Sequence, residues 1–350
     1  MTPEFWRNKR VFLTGHTGFK GAWLSLWLEQ LGAKVTGYSL APSTSPAMFS
    51  LLEPWPDLDS VIGDVRHRES LAAAIATSEP EIVIHMAAQA LVRPSYEDPT
   101  GTFSTNAMGT ANLLDLLRPV STARVVLVVT SDKVYDNHET GRRFVESDPL
   151  GGTDPYSASK AVQELITASY ASSYFASRST RVATARAGNV IGGGDWAADR
   201  LIPDYFRSIR TGTEIQLRYP NATRPWQHVL EPLSGYLAYA ERLHSDGDTP
   251  KALNFGPTDP SLAVIDVVSK LAAASGHTQK WSRHTDDRWP EHDALELDST
   301  AAIERLGWRP RMDVDTALEW TAKWHQAHEA AQDMRVFSIQ QIEAYSRLGA

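Results

Sequence analysis

Short apolar runs and helical patterns alternate along the first half of the chain. Runs rich in β-branched and aliphatic residues occur at 11–14, 34–40, 81–85, 125–129 and 181–186, with amphipathic stretches between them. Short continuous apolar runs of this kind are typical of strands that are buried on both faces of a parallel sheet. The alternation predicts an α/β fold, a Rossmann-like doubly wound parallel sheet. After residue 187 the rhythm weakens and prolines, tryptophans and arginines become denser, which indicates a change to a substrate-binding part.

The first strand pattern runs into three glycines at G-x-x-G-x-x-G spacing, Gly15, Gly18 and Gly21, before a helical pattern. In this context the glycines give a tight turn and let the backbone approach a diphosphate at a helix N-terminus; a purely structural turn is the alternative. A side chain at His16 would crowd the phosphates, so we predict loose cofactor binding. The predicted cofactor-binding residues of this turn are Gly15, His16, Thr17, Gly18, Phe19 and Gly21.

Further cofactor contacts are predicted at later strand ends. The second strand ends with neither the carboxylate that holds the ribose of NAD nor the arginine that holds the phosphate of NADP, and the lack of nearby basic residues favours NAD. Asp64 is interpreted either as an acceptor for the adenine amino group or as the cap of the next helix. The predicted cofactor-binding residues here are Asp64, Val65, Ala87, Ala88, Gln89 and Asn106, the last of which opens a predicted helix at 107–117.

Polar residues begin where the strand at 125–129 ends, which is where open α/β sheets bind ligands. They include Ser131, Asp132 and Lys133. Downstream, Tyr156 and Lys160 lie four residues apart on one predicted helix, so they share a face. An ammonium beside a phenol favours the phenolate, and such a pair can remove a proton from a hydroxyl while hydride leaves the same carbon. An incidental surface pair is the alternative.

Composition narrows the class of protein. The chain has 350 residues, a net charge of −8 and no cysteine, so disulfides, thiolate nucleophiles and cysteine-ligated zinc are excluded. The acidic balance argues against a nucleic-acid or membrane-surface role. We see no membrane segment, and the apolar run near the start is too short for a signal peptide, so a cytoplasmic protein is expected. His325 and His328 lack a third ligand, and we predict a solvent-exposed helix face and no metal site.

The motifs together resemble the extended short-chain dehydrogenase/reductase family over nearly the full length. The resemblance rests on the glycine turn, on residues 63–65 and 85–89, on the Tyr156/Lys160 pair and on residues 306–310. Within this family, longer runs look like the CDP-glucose 4,6-dehydratases, namely residues 14–23, 130–135, 187–196 with 199–203, and 224–229. The resemblance implies an NAD-binding Rossmann domain at 1–187 plus about 226–258. It also implies a nucleotide-sugar-binding domain at 188–225 and 259–350, and a homodimer or homotetramer.

The activity implied by the resemblance is the conversion of CDP-D-glucose to CDP-4-keto-6-deoxy-D-glucose with loss of water, an expected step in deoxysugar synthesis for lipopolysaccharide O-antigen. Bound NAD is reduced and reoxidised within one turnover. The catalytic residues implied are Ser131, Asp132, Lys133, Tyr156 and Lys160, and Tyr156 and Lys160 are also expected to bind the cofactor. Asp132 would be the acid that protonates the 6-hydroxyl. Lys133 stands where dTDP-glucose relatives carry a glutamate base, so its role as the C5 base is a hypothesis.

Arginines in the second half are candidate diphosphate clamps, since a planar guanidinium suits phosphate oxygens, although a solvated surface arginine is the alternative for each. The candidate substrate-binding residues are Asn189, Arg200, Arg218, Arg224, Arg288 and His292. Three alternative functions remain at this stage, of which the first is a dehydratase for another nucleotide-glucose. A nucleotide-sugar 4-epimerase would use the Tyr156/Lys160 pair without the acid and base, and an NAD-binding module of the same fold would have no turnover.

Overall fold

The computed structural model describes residues 2–278, 280–284 and 295–348. Its strands are β1 (Arg10–Thr14), β2 (Lys34–Ser39), β3 (Leu58–Ile62), β4 (Ile82–His85), β5 (Val125–Val129), β6 (Arg181–Ala187), β7 (Val190–Ile191), β8 (Ile215–Leu217), β9 (Thr223–Arg224), β10 (Gln227–His228), β11 (Ala252–Phe255), β12 (Leu262–Ala263) and β13 (Trp281–Arg283). Its α-helices are α1 (Pro3–Trp6), α2 (Phe19–Gln30), α3 (Met48–Leu51), α4 (Arg68–Ser78), α5 (Val92–Glu97), α6 (Pro99–Phe103), α7 (Gly109–Leu117), α8 (Pro155–Ser173), α9 (Leu201–Thr211), α10 (Leu230–Ser245), α11 (Val264–Ser275), α12 (Thr300–Leu306), α13 (Val314–Glu329) and α14 (Met334–Arg347). A π-helical turn (Ser104–Met108) precedes α7, and a 3₁₀ turn (Asp132–Val134) follows β5.

Seven strands form one sheet in the order β11-β6-β5-β4-β1-β2-β3, and every neighbouring pair is parallel. All five residues of β5 are buried, as their continuous apolar run predicts. The chain runs from β1 outward to β3 and then returns to the other side of β1 with β4. The carboxyl ends of β1 and β4 therefore form a topological switch point, where such sheets bind ligands. The predicted fold class is confirmed.

Helices cover both faces of this sheet. One apolar cluster joins the sheet to α2, α10 and α14, and a second joins its other face to α4, α7 and α8. Helix α14 packs directly on α2, where the rings of Trp27 and Tyr345 lie 5.6 Å apart and Arg335 pairs with Glu29. The carboxyl-terminal helix thus contributes to the core around the main sheet. The division into two domains stays a prediction.

A third apolar cluster lies outside the main sheet and includes Tyr205, Leu217, Trp226, Val267 and Leu318. Three two-stranded sheets accompany it, pairing β7 with β10, β9 with β12 and β8 with β13. The prediction of a solvent-exposed face at His325 is wrong, because this ring is buried and stacks on Phe206 with ring centres 3.8 Å apart. Among the described residues, no helix has the length and apolar character needed to cross a bilayer.

Candidate functional site

A cleft of about 730 Å³ opens at the carboxyl ends of the sheet strands and extends to the third cluster. It brings together most of the residues that the sequence predicts. Those that line it are Gly15, Thr17, Gly18, Phe19, Gly21, Asp64, Val65, Ala87, Ala88, Gln89, Ser131, Asp132, Lys133, Tyr156, Lys160, Asn189, Arg200, Arg218 and Arg224. His16 and Asn106 are not among them. Arg288 and His292 lie outside the described residues.

The glycine turn between β1 and α2 forms one wall of the cleft. Gly15 has φ +80°, a left-handed conformation that favours glycine. A Cβ at Gly21 would lie 2.0 Å from the carbonyl oxygen of Gly15, so a side chain would push the helix away from the turn. Helix α2 starts after Gly18 without a side-chain cap, which leaves its first N–H groups available to a ligand. This cradle fits the diphosphate of a dinucleotide.

The side chain of His16 points away from this wall of the cleft. The prediction that it crowds the phosphates is therefore wrong. Its ring is fully buried beneath β2, where Gly37 leaves room for it: a Cβ at Gly37 would lie 2.4 Å from the ring. The Nε2 atom of His16 lies 2.7 Å from the hydroxyl of Ser60 on β3. Burial lowers the pKa of His16 to about 4, so the ring is neutral near pH 7. Loose cofactor binding therefore stays a prediction without that steric reason.

Asp64 lines the cleft, but its carboxylate is already engaged. The guanidinium of Arg66 donates to both of its oxygens, with a shortest contact of 2.6 Å, and this hydrogen bonding lowers the pKa of Asp64. The interpretation of Asp64 as a helix cap is wrong, because α4 begins after His67. A role in adenine binding would require Asp64 to share its carboxylate with Arg66.

Asn106 lies behind the residues that line the cleft and contacts them through the backbone of Gln89. It lies in the π-helical turn before α7 instead of opening that helix, and it is fully buried. Its side chain accepts the N–H of Gln89 at 2.8 Å and donates to the carbonyl of Gln89 at 3.0 Å and to the hydroxyl of Ser159 at 2.8 Å. Asn106 thus fixes the backbone at Gln89, which does line the cleft.

The acidic centre of the cleft is Asp132. Its side chain is 4% exposed and accepts a hydrogen bond from the hydroxyl of Ser131 at 2.9 Å. Gly188 permits this burial, since a Cβ there would lie 2.9 Å from the carboxyl group. Burial raises the pKa of Asp132, and the neighbouring charge of Lys133 opposes the rise without cancelling it. Asp132 therefore holds a proton more readily than an ordinary aspartate, as a general acid must.

Tyr156 and Lys160 follow Asp154, whose carboxylate caps α8, so both side chains lie on the first turns of that helix. Burial raises the pKa of Tyr156 to about 12, and a hydrogen bond with Ser131 opposes this. The ammonium of Lys160 is directed elsewhere, at the carbonyl of Val129 (3.3 Å). The expected lowering of the Tyr156 pKa by Lys160 is therefore not seen in this structure. Burial lowers the pKa of Lys160 to about 7.

Lys160 also begins a buried series of hydrogen bonds, which we call the Lys160 chain: Lys160, Gln163, Thr110, His85 and Thr14. The Nζ atom of Lys160 donates to Oε1 of Gln163 at 2.9 Å, and Nε2 of Gln163 donates to the hydroxyl of Thr110 at 2.7 Å. That hydroxyl lies 3.0 Å from Nε2 of His85, whose Nδ1 lies 2.7 Å from the hydroxyl of Thr14.

The donor and the acceptor of each hydrogen bond in the Lys160 chain follow from the number of protons that each group can donate. Thr110 gives its one proton to the carbonyl of Asn106 at 2.7 Å, so it must accept from Nε2 of His85. Burial lowers the pKa of His85 to about 3, so the ring is neutral and its Nδ1 accepts from Thr14. The hydroxyl of Thr14 in turn accepts two backbone N–H groups just after β4, both at 3.1 Å. The chain fixes one histidine tautomer and joins α8 to β4.

A buried ion pair lies behind the carboxyl ends of β5 and β6. Glu164 on α8 and Arg186 on β6 are each 4% exposed at the side chain and pair at 2.8 Å. Glu164 also accepts hydrogen bonds from Thr130 (2.5 Å) and Thr184 (2.8 Å). Every carboxylate oxygen thus has donors, which is the condition under which a buried pair is tolerated. The pair holds α8 against the ends of β5 and β6.

Three of the predicted arginines occupy the substrate side of the cleft. Arg200 donates to Asp195 at 2.9 Å, and Arg218 donates to Asp199 at 2.7 Å. Arg224 is 8% exposed and donates to the carbonyl of Thr223 at 2.9 Å. Each guanidinium is thus held in place by the protein while it faces the cleft.

Sequence reasoning missed Lys20, which lines the cleft from the first turn of α2. The sequence does contain a signal for Lys20. A lysine in the first turn of a helix is disfavoured by the helix dipole, so its presence there indicates a role other than helix stability.

Comparison with known proteins agrees with this geometry. A family model that describes GDP-mannose 4,6 dehydratase matches residues 12–321. A CDP-glucose 4,6-dehydratase of Salmonella typhimurium strain LT2 is 45% identical over 98% of this chain and 97% of its own length. A dTDP-glucose 4,6-dehydratase of Streptomyces griseus is 29% identical over 71% of this chain and 72% of its own.

Solved structures agree in fold. The dTDP-glucose 4,6-dehydratase of Bacillus anthracis, in complex with NAD, has a TM-score of 0.78 at 20% identity and covers 92% of this chain and 98% of its own. The epimerase Mth375 of Methanothermobacter thermautotrophicus has a TM-score of 0.83 at 21% identity and covers 94% of this chain and 95% of its own. The chain therefore belongs to the GDP-mannose 4,6 dehydratase family, within the extended short-chain dehydrogenase/reductases to which its motifs point.

Proposed function

We propose that this chain is an NAD-dependent nucleotide-sugar 4,6-dehydratase that acts on CDP-glucose. The observation that supports the proposal is the buried Asp132, which accepts a hydrogen bond from the hydroxyl of Ser131 at 2.9 Å and whose pKa is raised by burial. Oxidation at C4 alone, as in an epimerase, does not need this acid, whereas loss of water does. The 45% identity to a CDP-glucose 4,6-dehydratase over nearly the full chain supports the choice of substrate.

The dinucleotide would lie on the glycine turn. Gly15 and Gly21 let the turn, the strand end at Ala87 and the start of α2 pack closely together, and α2 begins after Gly18 with its first N–H groups toward the cleft. The buried end of β2 and the residues 40–46 that follow it offer no basic side chain for a 2′-phosphate, which favours NAD. When bound, NAD supplies a hydride acceptor for C4 and later a hydride donor for C6.

Tyr156 would take the proton of the sugar 4-hydroxyl while the C4–H bond breaks. Burial holds the pKa of Tyr156 high, so the phenolate needs help from its hydrogen bond with Ser131 and from a cation. Lys160 would supply that cation by turning from its present acceptors toward the phenol.

The second half of the reaction uses the two residues that follow Ser131. A ketone at C4 acidifies the C5–H bond, so a base can take that proton while Asp132 gives its own to the 6-hydroxyl, which leaves as water. Lys133 is the proposed base; it is half-buried and lines the same cleft from the turn that carries Asp132. Hydride then enters at C6 and a proton returns to C5, which gives the 4-keto-6-deoxy sugar.

The nucleotide part would extend toward the third apolar cluster. Arg218 and Arg224 are proposed to bind the diphosphate, and Arg200 and Asn189 line the stretch nearer the catalytic residues. The predicted roles of Arg288 and His292 stay predictions.

A homodimer or homotetramer in the cytoplasm also stays a proposal. Met108 and Leu165 support the assembly, because they are 56% and 59% exposed on two elements that pack together. Large exposed apolar side chains on neighbouring helices are typical of subunit contacts.

The test is to incubate the protein with CDP-glucose and with dTDP-glucose in heavy water, with and without added NAD, and to identify the sugar by NMR and mass spectrometry. We expect a 4-keto-6-deoxy sugar with deuterium at C5, formed faster from CDP-glucose. A sugar that keeps its 6-hydroxyl and is epimerised at C4 would replace the proposal by an epimerase. Binding of NAD without turnover would leave only a binding module.

The role of Lys133 has its own test. Lys133→Met should abolish exchange of the C5 proton, while Lys270→Met, which removes an exposed ion pair with Asp315, should not. If exchange at C5 continues in Lys133→Met at the normal rate, another group is the base.

A further inference from the structure

Lys20 is a cleft residue that the proposed reaction leaves without a task. It is the second residue of α2, directly after the glycine turn, and its side chain is half-buried. It lines the same cleft as Ser131 and Tyr156. Among the described residues, the ammonium of Lys20 donates no hydrogen bond to a protein group and forms no ion pair. The neighbouring Arg200, in contrast, pairs with Asp195.

The surroundings of Lys20 disfavour its charge. Burial is the main cause of a pKa lowered to about 8, and the charge of Arg200 adds to it. The charges of Lys20 and Lys160 also repel, which contributes to the lowered pKa of Lys160. The positive end of the α2 dipole acts in the same direction. Stability of the unliganded protein does not explain an ammonium at this position. We therefore look for the role of Lys20 in the complex with a ligand.

The nearby carboxylates compensate this charge only in part. Asp132 and Asp195 both favour the charged form of Lys20. Asp195, however, is already paired with Arg200 at 2.9 Å, and burial raises the pKa of Asp132 toward the neutral form. Among the described residues, neither carboxylate forms an ion pair with Lys20, whose charge therefore faces the cleft.

The reaction chemistry indicates which part of the dinucleotide the charge of Lys20 acts on. Hydride must leave the carbon whose hydroxyl Tyr156 deprotonates, so the hydride acceptor must lie against that carbon, between Tyr156 and the glycine turn. The oxidised nicotinamide ring carries a positive charge and the reduced ring is neutral. A nearby cation attracts the diphosphate of both forms but repels only the oxidised ring, so it favours the reduced form over the oxidised form.

We propose that the ammonium of Lys20 biases the bound dinucleotide toward its reduced form and so favours removal of hydride from the sugar. The inference rests on the proposed NAD-dependent function. The electrons balance, since the C4 alcohol is oxidised as the nicotinamide is reduced and the hydroxyl proton goes to Tyr156. The same bias slows the return of hydride to C6.

The test compares equilibrium binding of NAD⁺ and NADH, by calorimetry and by NADH fluorescence, in the wild type, Lys20→Met and Lys20→Arg. Lys34→Met is the control, because Lys34 is exposed at the start of β2. In Lys20→Met the ratio of the dissociation constants for NAD⁺ and NADH should fall about tenfold, which corresponds to about 1.4 kcal/mol. Lys20→Arg and Lys34→Met should keep the wild-type ratio.

An unchanged ratio in a folded Lys20→Met protein would overturn the inference, as would an equal fall in Lys20→Arg. Should Lys20→Met not fold, Lys20→Gln removes the same charge with a shorter polar side chain. A wild-type protein that binds neither dinucleotide would instead refute the cofactor half of the proposed function, and with it the inference. The two failures are thus distinguished before any variant is made.

Discussion

Replacement of Gln163 by methionine should change the pH dependence of activity through Lys160. The substitution keeps the length of the side chain but removes the acceptor that lies 2.9 Å from Nζ of Lys160, leaving one carbonyl, that of Val129, at 3.3 Å. Lys160 is buried, so water cannot readily replace the lost acceptor. The charged form of Lys160 therefore loses stabilisation and the neutral form does not.

The size of the shift follows from the strength of one such bond. A hydrogen bond to a charged group contributes roughly 1.5 to 3 kcal/mol, and about 1.4 kcal/mol corresponds to one pKa unit. The pKa of Lys160 is about 7 in the intact protein. Gln163→Met should lower it by about one to two units, whereas Gln163→Glu, which adds a negative charge beside the ammonium, should raise it.

The assay is the pH profile of kcat/KM, which reports groups of the free enzyme. Lys160 must be charged to favour the phenolate, so activity is lost as the pH rises through its pKa. The alkaline limb should move to lower pH in Gln163→Met and to higher pH in Gln163→Glu. Thr167→Val is the control, since Thr167 is buried on the same helix and its hydroxyl bonds, among the described residues, only the carbonyl of Gln163. Limbs that stay in place, or move in the same direction in both variants, would refute the reasoning.

Three further predictions concern stability and can be read from denaturant unfolding. Arg186→Met should lower the free energy of unfolding by about 3 to 5 kcal/mol, because Glu164 stays buried without its partner. Adding Glu164→Gln to this variant should recover part of the lost free energy. Additive losses in the double variant would contradict the prediction. His325, whose pKa burial lowers to about 3, must be neutral to stay folded, so stability should fall as the pH drops below about 6.5, more gently in His325→Phe. Gly21→Ala should prevent normal closure of the turn on Gly15 and lower both stability and dinucleotide affinity, and an alanine variant with unchanged affinity would count against the cradle.

The sequence predicts the main sheet well because its signals are local. The apolar run at β5 has a strand that begins and ends where the run does, and the glycine turn joins β1 to α2 as expected. The position of the candidate catalytic residues could also be predicted, since the carboxyl ends of parallel strands share one edge of the sheet. Ser131, Asp132 and Tyr156 meet there.

The errors arise where the direction of a side chain decides its role. His16 lies within the glycine turn, yet its ring turns beneath β2 because a glycine on that strand leaves space for it. Asn106 faces the interior because a π-helical turn, which has no clear sequence signal, rotates it there. His325 resembles an exposed helix residue until Phe206 from another element covers it. These outcomes depend on long-range packing that residue spacing does not encode.

The contact between α14 and α2 has a consequence for the order in which the protein is completed. Helix α2 carries the glycine turn and Lys20, and the far side of α2 is closed by Tyr345 on Trp27 and by Arg335 on Glu29. During synthesis, α2 leaves the ribosome more than 300 residues before α14. Until α14 follows, these parts of α2 lack their native cover. The candidate dinucleotide site therefore reaches its final packing only after α14 has been synthesised.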